Sequence, residues 1–313
     1  MFVEKRRSWI ATVALGGNAL PHIWGRTAAV TAISVAVTLV YFQVPALHHS
    51  ITTTPFVLIG LPLGIFLGFR NNTAYDRFWE GRKLWGSLVN TARSLTRQII
   101  TLIEPQPEAV ETLPDAIHAH EAAMVHMLIA YVHSLRHHLR DSSPFSTLER
   151  ILPADEVTLL RGEANVPIAI LHRIATLMVE ARRKHWIHPL HVPVIEQSLT
   201  ALTDIQGGCE RIKSTPIPYS YTVLMHRIVA VYCGLLPFGL DETIGWATPV
   251  VVMFVSYALF GLDAVGDEIE QPFGLDPNDL PLSTISRAIE ANLRVRIGEE
   301  PPRLLEPRDG VLP

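Results

Sequence analysis

The chain has 313 residues, of which 48% are hydrophobic and 18% are charged, with a formal net charge of −4. A soluble domain of this size carries about a quarter charged residues, and proteins that bind nucleic acid are strongly basic on at least one face. The composition therefore argues against a nucleic-acid partner. It also raises the question of where the charged residues are missing.

The first window without Lys or Arg lies in residues 27–69 and predicts a membrane hairpin. Its first half, "TAAVTAISVAVTLVYFQV", is close to the length of about 20 apolar residues that crosses a bilayer. A short turn-forming segment, "PALHHSITTTP", separates it from the apolar run "FVLIGLPLGIFLGF". We predict two spans here, at residues 27–46 and 52–69.

A second window without Lys or Arg, residues 228–286, predicts a second hairpin. Its spans are expected at residues 221–241 and 244–264, joined by "DETIGWATP". Lys and Arg flank the hairpins but are absent from both hairpin loops. Because cytoplasmic segments retain Lys and Arg, both termini should be cytoplasmic in a multi-pass protein of the cell inner membrane.

The remaining segments are predicted to be helical and cytoplasmic, which makes the fold class all-α. Residues 70–220 repeat apolar side chains at helical spacing between helix-ending segments such as "EPQPE" and "HPLHVP". Residues 1–26 form a cytoplasmic N-terminal segment, residues 265–297 a second cytoplasmic segment, and residues 298–313 a polar, Pro-rich flexible tail.

The second predicted span carries two parallel stripes. Gly60, Gly64 and Gly68 recur every four residues, and a bulky stripe displaced by one residue follows the same spacing at Leu61, Ile65 and Phe69. One interpretation is a glycine packing face beside lipid-facing side chains. The other is a pore helix, in which several copies place three apolar rings around an axis and gate by dewetting.

The span continues into "RNNTAYDRFWEGRKLW", where charged residues alternate with large aromatics. A membrane anchor with an interfacial aromatic belt explains this composition. The order of the residues goes further, because "GFRNNTAYDRFWEGRKLWG" resembles the signature of the bacterial branch of the bestrophin family. Downstream, "GDEIEQPFGLDPNDLPL" is similar to that family's acidic segment around PFG.

The resemblance implies a homopentamer of all-helical subunits around one axial pore, each with four transmembrane helices and a large cytoplasmic part. It places the pore neck on Leu61, Ile65 and Phe69. It implies a cytosolic constriction near "HVPVIEQSLTAL", with Val194 the first candidate and Ile195 the second, although a core position is an equal alternative. One continuous helix then joins the neck to a signature that anchors it, comprising Arg70, Asn71, Tyr75, Arg77, Trp79, Glu80 and Trp85.

The acidic segment also suggests a calcium site, since animal bestrophins bind calcium in this region. Asp276 and Asp279 match the two side-chain ligands, while Pro277 and Asn278 interrupt the acidic run. Calcium takes six to eight oxygens, so backbone groups would have to complete the site. The alternative is that the aspartate at position 276 caps a helix or a turn. No cofactor is required on either interpretation.

Six histidines between residues 118 and 138 offer a different class of function. His126, His133 and His137 fall on one helical face, which permits a metal site and thus a membrane-anchored metal-dependent enzyme. The spacing lacks the HExxH pattern, and a packing or solvated face is the commoner role for such histidines. A non-conducting membrane scaffold is the third hypothesis.

The leading hypothesis is a passive ion channel whose partners are lipid, further copies of the chain and monovalent ions. Bacterial relatives favour monovalent cations, whereas animal relatives conduct chloride. Apolar rings carry no charge and do not select between them. The net charge of −4 favours sodium or potassium over chloride.

Overall fold

A computed structural model describes residues 20–44, 52–109, 114–307 and 311–312. Every regular helix or strand element in these ranges is a helix, and an isolated bridge pairs Ile103 with Ile187. The all-α prediction is confirmed for this part of the chain. The start of the predicted N-terminal segment (1–19), the first hairpin loop (45–51) and parts of the tail (308–310 and 313) lie outside the described residues.

The α-helices follow one another along the whole described chain. In order they are α1 Leu20–Gln43, α2 Thr54–Leu102, α3 Pro114–Leu139, α4 Phe145–Leu148, α5 Ala154–Leu160, α6 Val166–Arg183, α7 Val192–Ser214, α8 Tyr219–Ile244, α9 Thr248–Glu270 and α10 Leu282–Arg296.

Three stretches of the described chain are long and apolar enough to cross a membrane: Ile23–Gln43, Thr54–Leu102 and Tyr219–Glu270. The third contains both α8 and α9, which are separated by the short 3-10 turn Gly245–Ala247. Gly245 has a φ of 55°, a left-handed conformation that glycine adopts without steric cost. The second predicted hairpin is therefore two helices joined by a tight turn.

Helix α2 runs without interruption for 49 residues, as the sequence predicts. Its buried positions in the apolar part are Leu63, Leu67, Arg70 and Ala74. Their spacing of four, three and four residues keeps them on one face of an α-helix. The buried face thus passes from leucine to arginine without a break in the helix.

The chain divides into two compact units. The first, here called the hairpin unit, contains Glu4–Trp79 and Thr215–Pro272. Within it α9 packs against α1 and α8, and α1 packs against α8. Its core is apolar and is formed by Ile23, Val30, Leu63, Leu67, Met225, Val229, Cys233, Leu236, Val252 and Phe260.

The second, here called the polar unit, contains Glu80–Ser214 and Phe273–Pro313. Helix α3 is its central element, because α6, α7 and α10 all pack against it. Its C-terminal half is buried nearly all round, as expected of a core helix. The Tyr131 hydroxyl on α3 donates to the Leu202 carbonyl on α7 at 2.9 Å, which satisfies a buried polar group.

Candidate functional site

The predicted neck residues lie on the exposed side of α2. Leu61, Ile65 and Phe69 are 70%, 50% and 60% exposed in the single chain. On the opposite face Leu63 and Leu67 are buried in the core of the hairpin unit. Side chains four residues apart on a helix lie above one another. The three residues therefore form one continuous apolar stripe, here called the neck stripe, that no other part of the described chain buries.

The glycine stripe divides into two parts. A Cβ atom at Gly60 would lie 2.6 Å from the Tyr232 hydroxyl, so a larger residue there would force the Tyr232 side chain to shift. A Cβ atom at Gly64 or Gly68 would meet no heavy atom of the described chain within 4 Å. The first glycine serves packing within the chain, whereas the other two leave a smooth surface beside the neck stripe.

The first part of the signature binds other elements of the hairpin unit. Arg70 donates to Asp263 at 2.7 Å and also contacts Asp267, both on α9. The Asn71 amide donates to the Leu262 carbonyl at 3.0 Å. Arg77 donates to the Glu270 carbonyl at 3.1 Å and to the Thr215 carbonyl. These side chains hold the region after the neck stripe against α9 and the segment that precedes α8.

The other signature residues differ among themselves. Tyr75 and Trp79 stack on each other with ring centroids 6.4 Å apart, and both are exposed. In the polar unit, Glu80 accepts from Arg211 on α7 at 2.5 Å, and Trp85 is buried. The described chain thus leaves about half of the surface of each ring uncovered.

The partners of Arg70 are not evident from the sequence. Asp263 and Asp267 lie one helical turn apart on α9, and His226 on α8 contacts Asp263 through Nδ1 at 2.6 Å. They are the one group of three potential metal ligands found among the described residues. Since Arg70 already occupies an oxygen of each carboxylate, we interpret the cluster as an ion-pair network. Arg70 directly follows the apolar run of α2, and an arginine at such a position pairs with acidic side chains. Its place in the sequence could therefore have predicted an acidic partner.

The two candidates for the cytosolic constriction have different environments. Val194 on α7 is 42% exposed, whereas Ile195 is fully buried in the polar unit. A residue that lines an ion pathway must present its side chain to solvent. The burial of Ile195 therefore favours Val194 for this role.

The acidic segment is held by contacts within the polar unit. Asp279 Oδ2 accepts from the Asp276 backbone N–H at 2.7 Å, and the Asp279 N–H donates to the Asp276 carbonyl at 3.0 Å. Arg140 donates to the Phe273 carbonyl at 3.2 Å and to Ser283 Oγ at 2.9 Å. The carboxylate that caps the turn is that of Asp279, which is buried, while Asp276 is exposed. Calcium binding stays a prediction.

The three histidines proposed as metal ligands have separate partners. His126 Nε2 lies 2.8 Å from Glu299, His133 Nε2 lies 2.9 Å from Glu290, and His137 contacts Arg136 and Ser142. None of them belongs to a group of three potential metal ligands in the described part of the chain. The geometry is that of packed histidines in a hydrogen-bonded network.

Burial and neighbouring charges shift the pKa values in this network. Burial lowers the pKa of His133, although Glu290 opposes the shift. Burial by itself would raise the pKa of Glu290, but hydrogen bonds from His133 and Arg294 and the charge of Arg287 bring it down to about 2. Burial and Arg136 lower the pKa of His137 to about 4. At neutral pH Glu290 is therefore a carboxylate, and the imidazoles of His133 and His137 are uncharged.

Comparisons with known proteins match nearly the whole chain. A family model described as "Bacterial/Fungal Bestrophin protein" matches residues 1–295. A voltage-dependent anion channel-forming protein of Ralstonia nicotianae is 40% identical over 96% of this chain and 95% of its own length. The protein of that description from Escherichia coli K12, YneE, is 33% identical over 94% and 93%. The crystal structure of a bestrophin homologue from Klebsiella pneumoniae superposes with a TM-score of 0.82 at 33% identity, covering 89% of this chain and 100% of that one.

Proposed function

The chain belongs to the bacterial and fungal bestrophin family, and we propose that it is a passive ion channel whose narrow neck is built from Leu61, Ile65 and Phe69. The observation that carries the proposal is the exposure of this apolar stripe on a helix whose other face is buried in its own subunit. The names of the relatives from Ralstonia and Escherichia, which describe channel-forming proteins, support it.

The channel is formed by five copies of the chain around one axis. Each copy contributes the neck stripe, so that Leu61, Ile65 and Phe69 become three successive apolar rings. Such rings conduct when wetted and close when water leaves them. Gly64 and Gly68 leave room for a helix of the adjacent subunit to approach closely. A Cβ atom at either position would meet no heavy atom of the described chain within 4 Å.

The hairpin unit lies in the cell inner membrane with its outer apolar surface against lipid. Four helices span the bilayer: α1, the first part of α2, α8 and α9. Both hairpin loops lack Lys and Arg, which supports a cytoplasmic location for both termini and the polar unit. The neck requires no cofactor, since apolar rings act through water alone.

The permeating ions are monovalent cations, sodium or potassium. The neck carries no charge, so selectivity must arise from charged residues elsewhere along the pathway, and the net charge of −4 favours cations. The second candidate is an anion channel, which is favoured by the names of the relatives as voltage-dependent anion channel-forming proteins. The two candidates predict reversal potentials of opposite sign.

The test is purified protein in planar bilayers under a gradient of potassium chloride. A reversal potential toward the potassium equilibrium potential supports the cation channel, and one toward the chloride potential replaces it with the anion channel. The triple variant Leu61→Ala, Ile65→Ala, Phe69→Ala should give larger currents, because the apolar rings that close the neck are trimmed. Flux that stays at background in both proteins would favour a scaffold. Mass measurement of the complex in lipid gives the subunit number independently.

A further inference from the structure

The imidazole of His226 faces two carboxylates with its two nitrogens. Nδ1 lies 2.6 Å from Asp263 Oδ2, and Nε2 lies 3.6 Å from Asp267 Oδ2. The first distance is a hydrogen bond, whereas the second is too long for one. A neutral imidazole has only one N–H and can donate to only one of these oxygens. Only the doubly protonated ring can donate to both.

The charges around His226 are unbalanced while the ring is neutral. Arg70 from α2 is the fully buried cation, and Asp263 and Asp267 from α9 are the two anions. Arg26 from α1 reaches Asp263 Oδ2 only at 3.9 Å, and its side chain is 57% exposed, so water screens it. Arg227, the next residue of α8, is exposed. A proton on His226, whose side chain is 35% exposed, adds a second positive charge beside the two negative ones.

The two aspartates differ in freedom to move. The Asp263 side chain is 2% exposed and bound to both Arg70 and His226, whereas the Asp267 side chain is 41% exposed. Protonation of His226 supplies a donor for Asp267 Oδ2, in addition to Arg70, which already contacts Oδ1. Asp267 is therefore the group that moves, and closing the gap ties α8 to the same carboxylates that hold Arg70.

Arg70 directly follows Phe69, the last residue of the neck stripe. We propose that His226 is a proton-binding site that tightens a clamp of Arg70, Asp263 and Asp267, and that the tightened clamp holds Phe69 in the narrow neck. The positioning step rests on the proposed channel function, whereas the proton site does not. His226 acts through Arg70 and is a positioning residue without contact with the permeating ion.

The first experiment measures current through the full-length protein in bilayers at about pH 8 and about pH 5.5, on either side of the usual histidine range. Wild-type current should fall by roughly tenfold on acidification, because a hydrogen bond to a charged group can shift an equilibrium by about that factor. His226→Gln should abolish the fall, and Asp267→Asn should weaken it, while Asp267→Glu should restore it. His172→Gln, at an exposed histidine of the polar unit, should behave as wild type.

The second experiment reads the proton directly. Solid-state NMR of protein labelled with ¹⁵N-histidine in lipid assigns His226 by the signal lost in His226→Gln. The expected result is a ring with two N–H groups in the acidic sample and one N–H group in the alkaline sample. A ring that stays neutral, or that titrates identically in Asp267→Asn, overturns the proton site. The positioning of Phe69 is overturned if the ring titrates but the pH dependence of the current survives in His226→Gln. It is also overturned if acid raises the current. A wild type without current at either pH defeats the channel function, and the NMR result still decides the proton site.

Discussion

Phe69 and Arg70 are adjacent in the chain, yet α2 sends their side chains to different environments: Phe69 is 60% exposed, whereas Arg70 is 1% exposed and bound to Asp263. One residue along an α-helix rotates the side-chain direction by about 100°. A helix that keeps its buried face toward the hairpin-unit core therefore fixes the outward direction of the neighbouring position. The ion pair at Arg70 sets the orientation of the last neck residue.

The two faces of α2 predict different outcomes for the same kind of substitution. Ile65→Ala should raise ion current with little change in thermal unfolding, because Ile65 lies on the exposed neck stripe. Leu67→Ala removes a fully buried side chain from the hairpin-unit core and should lower the free energy of unfolding by about 2–5 kcal/mol. Unfolding in detergent and current in bilayers measure the two effects. Equal destabilisation by both substitutions would contradict an exposed neck stripe.

Replacement of Arg70 alone should lower the stability of the fold more than replacement of both Arg70 and Asp263. Arg70→Met leaves Asp263 without its principal cation in an apolar unit, and we expect a loss of about 3–5 kcal/mol in stability. In the double variant Arg70→Met, Asp263→Asn no buried charge is stranded, and a large part of the stability should return. Thermal unfolding of the wild type, both single variants and the double variant gives the coupling energy. Strict additivity of the two substitutions would refute the ion pair.

The sequence predicted what depends on local spacing. The four-residue repeat at Leu61, Ile65 and Phe69 defines a helix face whatever the rest of the chain does. The continuity of α2 through Arg70 was also predictable, because "RNNTAYDRFWEGRKLW" contains no proline and no turn-forming pair. These features were accessible because neighbouring residues along the helix determine them.

Contacts between distant segments were not predictable in the same way. Arg70 and Asp263 are separated by 193 positions, and nothing in the spacing of either segment identifies the other. The histidines of α3 looked like metal ligands because they share a helical face, but the partner of His133 is Glu290 on α10. Only the packing of helices decides whether such a face meets a carboxylate or a metal.

The environment of α7 predicts opposite effects for two neighbouring residues. Val194→Ala should change ion current and leave unfolding nearly unaffected, because Val194 is 42% exposed and lies on the face proposed for the cytosolic constriction. Ile195→Ala should lower the unfolding free energy by about 2–5 kcal/mol, since Ile195 is fully buried. Current that responds to Ile195→Ala at wild-type stability, but not to Val194→Ala, would reverse the assignment.

Acid should destabilise the polar unit through Glu290. Its pKa falls from an ordinary 4.5 to about 2 in the folded chain, so its contribution is present above pH 4.5 and is lost as the pH falls toward 2. The lowered pKa of His133 acts in the same direction, because its neutral form is the stable one in the fold. The expected loss attributable to Glu290 is about 3 kcal/mol.

Unfolding measured from neutral to acidic pH checks this dependence. Glu290→Gln should be less stable than wild type at neutral pH and should show a shallower decline in acid. Glu163→Gln, at an exposed glutamate, is the matched control and should retain the wild-type slope. An unchanged slope in Glu290→Gln would place the acid-sensitive group elsewhere.

The acidic segment allows a direct test of the calcium prediction. Asp279 caps the Asp276 N–H, and Arg140 binds the Phe273 carbonyl, so protein groups already hold this turn. Asp279→Ala should therefore destabilise the chain by about 1–3 kcal/mol to the same extent in chelator and in calcium. Asp276→Ala, at an exposed position, should have a small effect in both conditions. If calcium instead raises the unfolding temperature of the wild type, and both substitutions abolish that rise, the two carboxylates bind the ion as the resemblance to animal bestrophins implies.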